Sequence, residues 1–165
     1  MERSTAPATL SGQLISGSPD ETRAIGRRIG TQAGPGTVLA LIGELGAGKT
    51  QLAKGVAEGL GVTSVVNSPT FVLMNEHVGR LRLYHIDAYR LGDPEEAAAA
   101  GLLDERHADG VTVVEWADRL AGWLPADRLE IQLETPAYSP MRRILHLTAA
   151  GAAHEELAAE ARRGS

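Results

Sequence analysis

The stretch VLALIGELGAGKTQLAKGVAEGLG, Val38 to Gly61, changes pattern twice. Val38 to Ile42 is a continuous aliphatic run of the length expected for a strand covered on both faces. Gly43 to Thr50, GELGAGKT, then satisfies GxxxxGK[ST]. After it Leu52, Ala53, Val56, Ala57 and Leu60 fall on one helical stripe, which Gly59 and Gly61 end. Strand, glycine-rich loop and helix in that order are the setting in which this motif is a P-loop. Its glycines let backbone N–H groups converge at a helix N-terminus, whose dipole favours anions. The cradle is read as Glu44, Leu45, Gly46, Ala47, Gly48, Lys49, Thr50 and Gln51. Lys49 would reach the β and γ phosphates, and the Thr50 hydroxyl would sit on Mg²⁺.

Working outward, Ser18-Pro19-Asp20-Glu21 opens a helix with Ser18 as N-cap, Pro19 at N1 and Glu21 completing a capping box. Ala24, Ile25, Ile29 and Ala33 give it an apolar stripe, and Gly34-Pro35-Gly36 breaks it. Thr70 to Glu76 and Arg80 to Ile86 are read as an antiparallel pair joined near Gly79. Asp93-Pro94-Glu95-Glu96 opens a further helix to about Arg106. Val111 to Val114 is a short aliphatic strand followed by a helical turn to Leu124. Arg128 to Glu134, with Leu129, Ile131 and Leu133 on one face, pairs with Met141 to Thr148 across TPAYSP. Gly151 to Arg163 is expected as a marginal terminal helix. The predicted class is α/β, a P-loop NTPase-type three-layer αβα sandwich with a mixed parallel and antiparallel sheet. The expected organisation is a flexible N-terminus (1–9), one P-loop domain (10–150) and a C-terminal helix and tail (151–165).

Composition narrows the function. The 165 residues carry 16 Lys plus Arg against 21 Asp plus Glu, a net charge of −5. Such a chain is a poor autonomous binder of a phosphate backbone, so nucleic acid is expected to arrive through a partner. One Phe, two Trp and three Tyr make no platform for stacking single-stranded bases, and the core must be aliphatic. The lack of cysteine excludes disulfides, thiol nucleophiles and cysteine-ligated metal sites. The longest aliphatic run, Val38 to Ile42, is far below the roughly 18 residues of a membrane span, and the start has no apolar signal core. A cytoplasmic protein without a membrane anchor is expected.

A P-loop needs an acid to hold the metal and a group to orient the attacking water. Asp87 follows LRLYHI and Glu115 follows VTVV, each where an aliphatic strand stops and where ligands of open α/β sheets collect. Asp87 could hold a metal-bound water, with Glu115 a second metal ligand or the base that aligns the attacking water; a turn cap and a solvated strand end are the plainer alternatives. His85 shares a strand face with Asp87 and is read as a structural hydrogen-bonding histidine. Thr70, in Ser68-Pro69-Thr70-Phe71, is a candidate γ-phosphate sensor or part of a simple turn. Trp116 packs in the core or beside the nucleotide. Arg90 and Arg142-Arg143 read as surface charge before phosphate contacts.

GELGAGKT, SPTFVL, HIDAYRL and VVEWADRL, in that order in a small acidic chain, closely resemble the TsaE family of bacterial ATPases needed for threonylcarbamoyl modification of tRNA adenosine. The resemblance covers roughly Leu10 to Thr148. It implies a P-loop fold, ATP and Mg²⁺ binding, and slow ATP hydrolysis. On its motifs Lys49 and Thr50 serve phosphate and metal, Thr70 lies in a switch-like segment, and Asp87 is the Walker-B-like acid. Glu115 becomes a second catalytic or metal-binding acid with Trp116 beside it. The resemblance also implies docking on the TsaB and TsaD subunits, which hold the tRNA; TsaD, not TsaE, makes the transfer. Two other readings stand beside this one: a small-molecule P-loop kinase, and a non-hydrolysing, nucleotide-gated docking module. Guanine specificity is disfavoured because no NKxD-type element is present.

Overall fold

The computed structural model of the chain describes residues 9–44, 46–66, 74–89 and 108–163. Seven strands form one sheet in the order β1-β7-β6-β2-β5-β4-β3. They are β1 (Thr9–Ser16), β2 (Val38–Ile42), β3 (Met74–His77), β4 (Leu83–Asp87), β5 (Val111–Glu115), β6 (Arg128–Glu134) and β7 (Arg143–Ala150). β2 pairs in parallel with both β5 and β6, and β4 in parallel with β5. β3 on β4, and β7 between β6 and β1, are antiparallel. The predicted α/β class with a mixed sheet is therefore the one found.

The helices are α1 (Pro19–Gln32), α2 (Lys49–Gly59) and α3 (Ala152–Arg163). α1 starts where Ser18 predicts it, the Ser18 hydroxyl accepting the Glu21 N–H at 3.1 Å, while Glu21 reaches back to the Gly17 N–H. α2 ends in a Schellman arrangement: Val62 N–H donates to Ala57 O and Gly61 N–H to Glu58 O, with Gly61 at φ +77°. The helical turn expected after β5 is a 3-10 helix, Ala117–Trp123. The helix expected at 93–106, the start of the strand expected from Thr70, and Arg90 lie outside the described residues.

The core is aliphatic and lies on the two faces of the sheet. Leu39, Leu41, Leu83, Val113, Ile131 and Leu147 meet Ile29, Leu52, Val56 and Leu157 of the helices in the larger cluster. On the other face Ala40, Ile86 and Val114 pack against Ala117 and Leu120 of the 3-10 helix. Each leucine or isoleucine so buried contributes about 1.5–3 kcal/mol relative to exposure.

α1 and α2 touch backbone to backbone. A Cβ on Gly26, Gly30, Gly55 or Gly59 would stand 2.0–2.3 Å from a carbonyl oxygen of the opposite helix. Glycines four apart on each helix thus make a seam that sets how close α2 sits.

β1 was not among the expected strands. Its sequence, TLSGQLIS, is too polar to announce itself, and it exists through eight paired residues with β7, from Thr9 opposite Ala150 to Ser16 opposite Arg143. α3 is better anchored than its composition suggests. Leu157, Ala158 and Ala161 are buried, Arg28 donates to Ala161 O, and His154 Nε2 accepts the Val38 N–H at 3.1 Å. Among the described residues no helix is long and apolar enough to cross a membrane.

Candidate functional site

Parallel pairing sets the site. Asp87 and Glu115 are register partners at the carboxyl ends of β4 and β5, and Leu41 near the end of β2 stands opposite Glu115. Three parallel strands therefore end together where the chain leaves β2 for the glycine loop. Strand alternation puts His85, Asp87 and Glu115 on the same face as Leu83, Val111 and Val113, the face covered by α2. Lys49 and Thr50, the first residues of α2, stand over that face.

The loop needs glycine at two points. Gly46 has φ +78° and Gly48, the N-cap of α2, has φ +104°, both in the left-handed region. The loop and strand ends enclose a cleft of about 410 Å³. One wall is Gly46, Ala47, Gly48, Lys49, Thr50 and Gln51; the other is Asp87, Tyr89, Glu115 and Trp116. Most of the residues singled out from sequence are thus brought together. Glu44 contributes a backbone carbonyl at the mouth of the loop, and Leu45 and Thr70 lie outside the described residues.

Lys49 is 5% exposed. Its Nζ donates to Gly43 O and to Glu44 O, the latter at 2.8 Å, and stands 4.1 Å from the centre of the Trp116 ring. Burial pushes its pKa below the usual lysine value, and the charges of Glu115, Asp87, Asp118 and Glu44 oppose that shift. Glu115 is 2% exposed and spans two partners. Its Oε1 accepts the Thr50 hydroxyl at 3.1 Å, and its Oε2 lies 2.6 Å from Nε2 of His85, which is fully buried. Asp87 Oδ1 accepts the Tyr89 N–H at 2.9 Å. Burial pushes the Asp87 carboxyl up, an effect the Tyr89 bond opposes and the charge of Glu115 reinforces.

Trp116 is the one residue other than glycine with positive φ among the described residues, at +58°. A bulky residue in this region costs about 1–2 kcal/mol. The turn brings the ring back over Lys49, with Tyr89 tilted against it at 4.8 Å between centroids and Arg119 stacked near both rings. Sequence reading passed over Tyr89, although its place two residues after the strand-end acid was a usable signal. His85, expected as a structural hydrogen-bonding histidine, is buried with its ring against one oxygen of Glu115.

The arrangement offers an anion cradle and a set of hard oxygen donors: the Thr50 hydroxyl and the Asp87 and Glu115 carboxylates. Among the described residues no group of three or more His, Asp or Glu is placed to hold a metal alone. Mg²⁺ does not need one, since it binds through one or two carboxylates together with substrate phosphates.

The family model described as threonylcarbamoyl adenosine biosynthesis protein TsaE matches residues 16–144. The chain belongs to the TsaE family. That family takes part in tRNA threonylcarbamoyladenosine biosynthesis. The TsaE protein of Bacillus subtilis (strain 168) is 44% identical over 144 residues, covering 87% of this chain and 89% of that protein. The TsaE protein of Mycobacterium leprae is 42% identical over 141 residues, covering 80% of this chain and 88% of that protein. The crystal structure of Bacillus subtilis YdiB matches with a TM-score of 0.79 at 39% identity, covering 95% of this chain and 97% of that one. The TsaE match takes in the loop, both strand-end acids and Trp116, and stops before α3.

Proposed function

We propose that this chain is a Mg²⁺-dependent ATPase that serves as an accessory subunit of tRNA threonylcarbamoyladenosine modification, supporting the TsaB–TsaD transferase by binding and hydrolysing ATP. The observation that carries the reading is the facing of two pairs: Lys49 and Thr50 at the start of α2, Asp87 and Glu115 at matched strand ends. Membership of the TsaE family supports the process; the geometry supports the chemistry.

Lys49 has its ammonium on two loop carbonyls, and a polyphosphate offers that charge stronger acceptors. The amides of the loop and of the first turn of α2 bind phosphate oxygens. Thr50, Asp87 and Glu115 would hold Mg²⁺, which when bound neutralises charge on the phosphates. Glu115, whose carboxylate His85 holds, would also align the water whose oxygen attacks the terminal phosphorus as the bond to the bridging oxygen breaks, giving ADP and phosphate. Trp116 and Tyr89 form the aromatic part of the cleft wall. The net charge of −5 fits a subunit whose tRNA is held mainly by TsaB and TsaD. A cytoplasmic setting goes with that role.

The test is phosphate release by the purified chain with Mg²⁺, alone and with the TsaB–TsaD pair. Stimulation by the pair, abolished in Glu115→Gln and Asp87→Asn while ATP still binds, is the expected result. Binding without hydrolysis in either condition would replace the ATPase by a nucleotide-gated docking module. Phosphate transfer to an added small acceptor would make it a kinase.

A further inference from the structure

We infer that Arg143, the first residue of β7, is a positioning residue of the phosphate cradle, fixing the peptide planes that aim its amide donors. This rests on the reading of the loop as a polyphosphate site and deepens it. The guanidinium reaches across from the β6–β7 hairpin and donates through Nε to Ala47 O at 2.9 Å and through Nη2 to Gly46 O at 3.0 Å. Its remaining nitrogen, Nη1, donates to Pro140 O at 2.6 Å and Arg142 O at 2.8 Å within its own hairpin. All three nitrogens are committed to backbone carbonyls, two of them on the loop.

A trans peptide is planar, so its C=O and N–H point in opposite directions. The Gly46–Ala47 plane is held at both ends, by Arg143 at the carbonyl and by Glu44 O, which accepts the Ala47 N–H at 3.1 Å. The Ala47–Gly48 plane is held by Arg143 at its carbonyl, and the Gly48 N–H therefore points away from the guanidinium. Gly48 lines the cleft and is the N-cap of α2, where its amide adds to the helix-end field on an anion. Gly46 and Gly48 have φ values of +78° and +104°, and glycines restrict the chain less than any other residue. Without an external clamp these planes can rotate and turn a carbonyl toward the phosphate. A planar fork with fixed N–H directions suits that clamp, and a lysine cannot reproduce it.

The experiment compares Arg143→Gln and Arg143→Lys with Arg142→Gln, which removes a neighbouring charge from the same hairpin, and with Lys49→Ala, by calorimetric titration with ADP and Mg²⁺. Losing one aimed amide contact to a phosphate corresponds to about a tenfold weaker affinity. We expect that loss in both Arg143 variants and a change under about twofold in Arg142→Gln. The second readout is the Gly48 amide resonance. Saturating ADP shifts it downfield in the parent, and the shift shrinks in Arg143→Lys even at saturation, which a general loosening of the fold would not produce. Arg143→Lys retains charge and stem, so the comparison survives if Arg143→Gln does not fold. Parent-like affinity and amide shift in Arg143→Lys, with Lys49→Ala defective, overturn the inference and leave the polyphosphate reading intact. Parent-like binding by Lys49→Ala overturns both.

Discussion

Replacing Gly55 by alanine tests whether the α1–α2 seam fixes the P-loop helix. On helix propensity alone the change is favourable by roughly 0.5–1 kcal/mol, because alanine loses less backbone entropy than glycine inside a helix. The structure predicts the opposite sign. A Cβ on Gly55 would stand 2.0 Å from the carbonyl oxygen of Arg23, 2.9 Å from its carbonyl carbon and 3.0 Å from the Arg27 nitrogen. These atoms belong to the backbone of α1 and cannot rotate aside, so the helices must part by roughly 1 Å in an interior packed to crystal density. Overpacking of this kind costs about 1–3 kcal/mol, and an immovable obstacle puts it at the upper end. The net expectation is destabilisation by about 2 kcal/mol, a fall in Tm of about 4–8 °C at this chain length. Urea denaturation measures it, with Gly34→Ala as control because a Cβ there meets nothing within 4 Å. The control should be neutral or stabilising by about 0.4–1 kcal/mol. If Gly55→Ala is as stable as the parent, the seam does not determine helix separation and the reasoning fails.

Lys49→Ala should weaken ATP binding by roughly 1.5–3 kcal/mol, the worth of a hydrogen bond to a charged group, as read by calorimetry. Because the Lys49 ammonium lies 4.1 Å from the Trp116 ring, nucleotide that draws it away should change tryptophan emission. Trp123→Phe should preserve that change and Trp116→Phe remove it; the reverse pattern would detach Trp116 from the site. Burial pushes the His154 pKa below its ordinary value of 6.5, and only the unprotonated Nε2 can accept the Val38 N–H. The unfolded chain therefore binds a proton that the folded chain refuses, so stability is lost as pH falls from 6.5 toward the depressed folded value. His154→Gln should flatten that part of the pH–stability profile, and an unchanged slope would assign it to other groups.

What could be read from the sequence depended on how local its cause was. The P-loop, the Ser18 cap and the aliphatic β2 are written in contiguous residues, and each is found where its pattern places it. Asp87 and Glu115 were legible as strand ends, and the register that makes them neighbours follows from two strands running in parallel. β1 was illegible because its pairing partner lies more than a hundred residues away and its own alternation is weak. The four seam glycines escaped notice for a similar reason: inside a helix a glycine reads as a weakness until the facing backbone is known. Arg143 read as surface charge because nothing beside it in sequence shows that its partners are carbonyls of Gly46 and Ala47.

These nonlocal contacts divide the site into a fixed part and a part under tension. The loop is held by Arg143 on one side, α2 by the glycine seam beneath it, and Glu115 by His85 from inside the sheet. Trp116 differs. Its left-handed backbone costs about 1–2 kcal/mol, and what opposes that is the packing of its ring against Tyr89, Arg119 and the Lys49 ammonium. A cation over an aromatic ring contributes about 0.5–2 kcal/mol, depending on desolvation, so Lys49 alone nearly balances the strain. If a phosphate claims Lys49 as proposed, that compensation would be lost at the point where β5 passes into the 3-10 helix Ala117–Trp123. On the proposed binding mode, occupancy of the cradle would reach the segment that follows Glu115 through the Lys49 side chain.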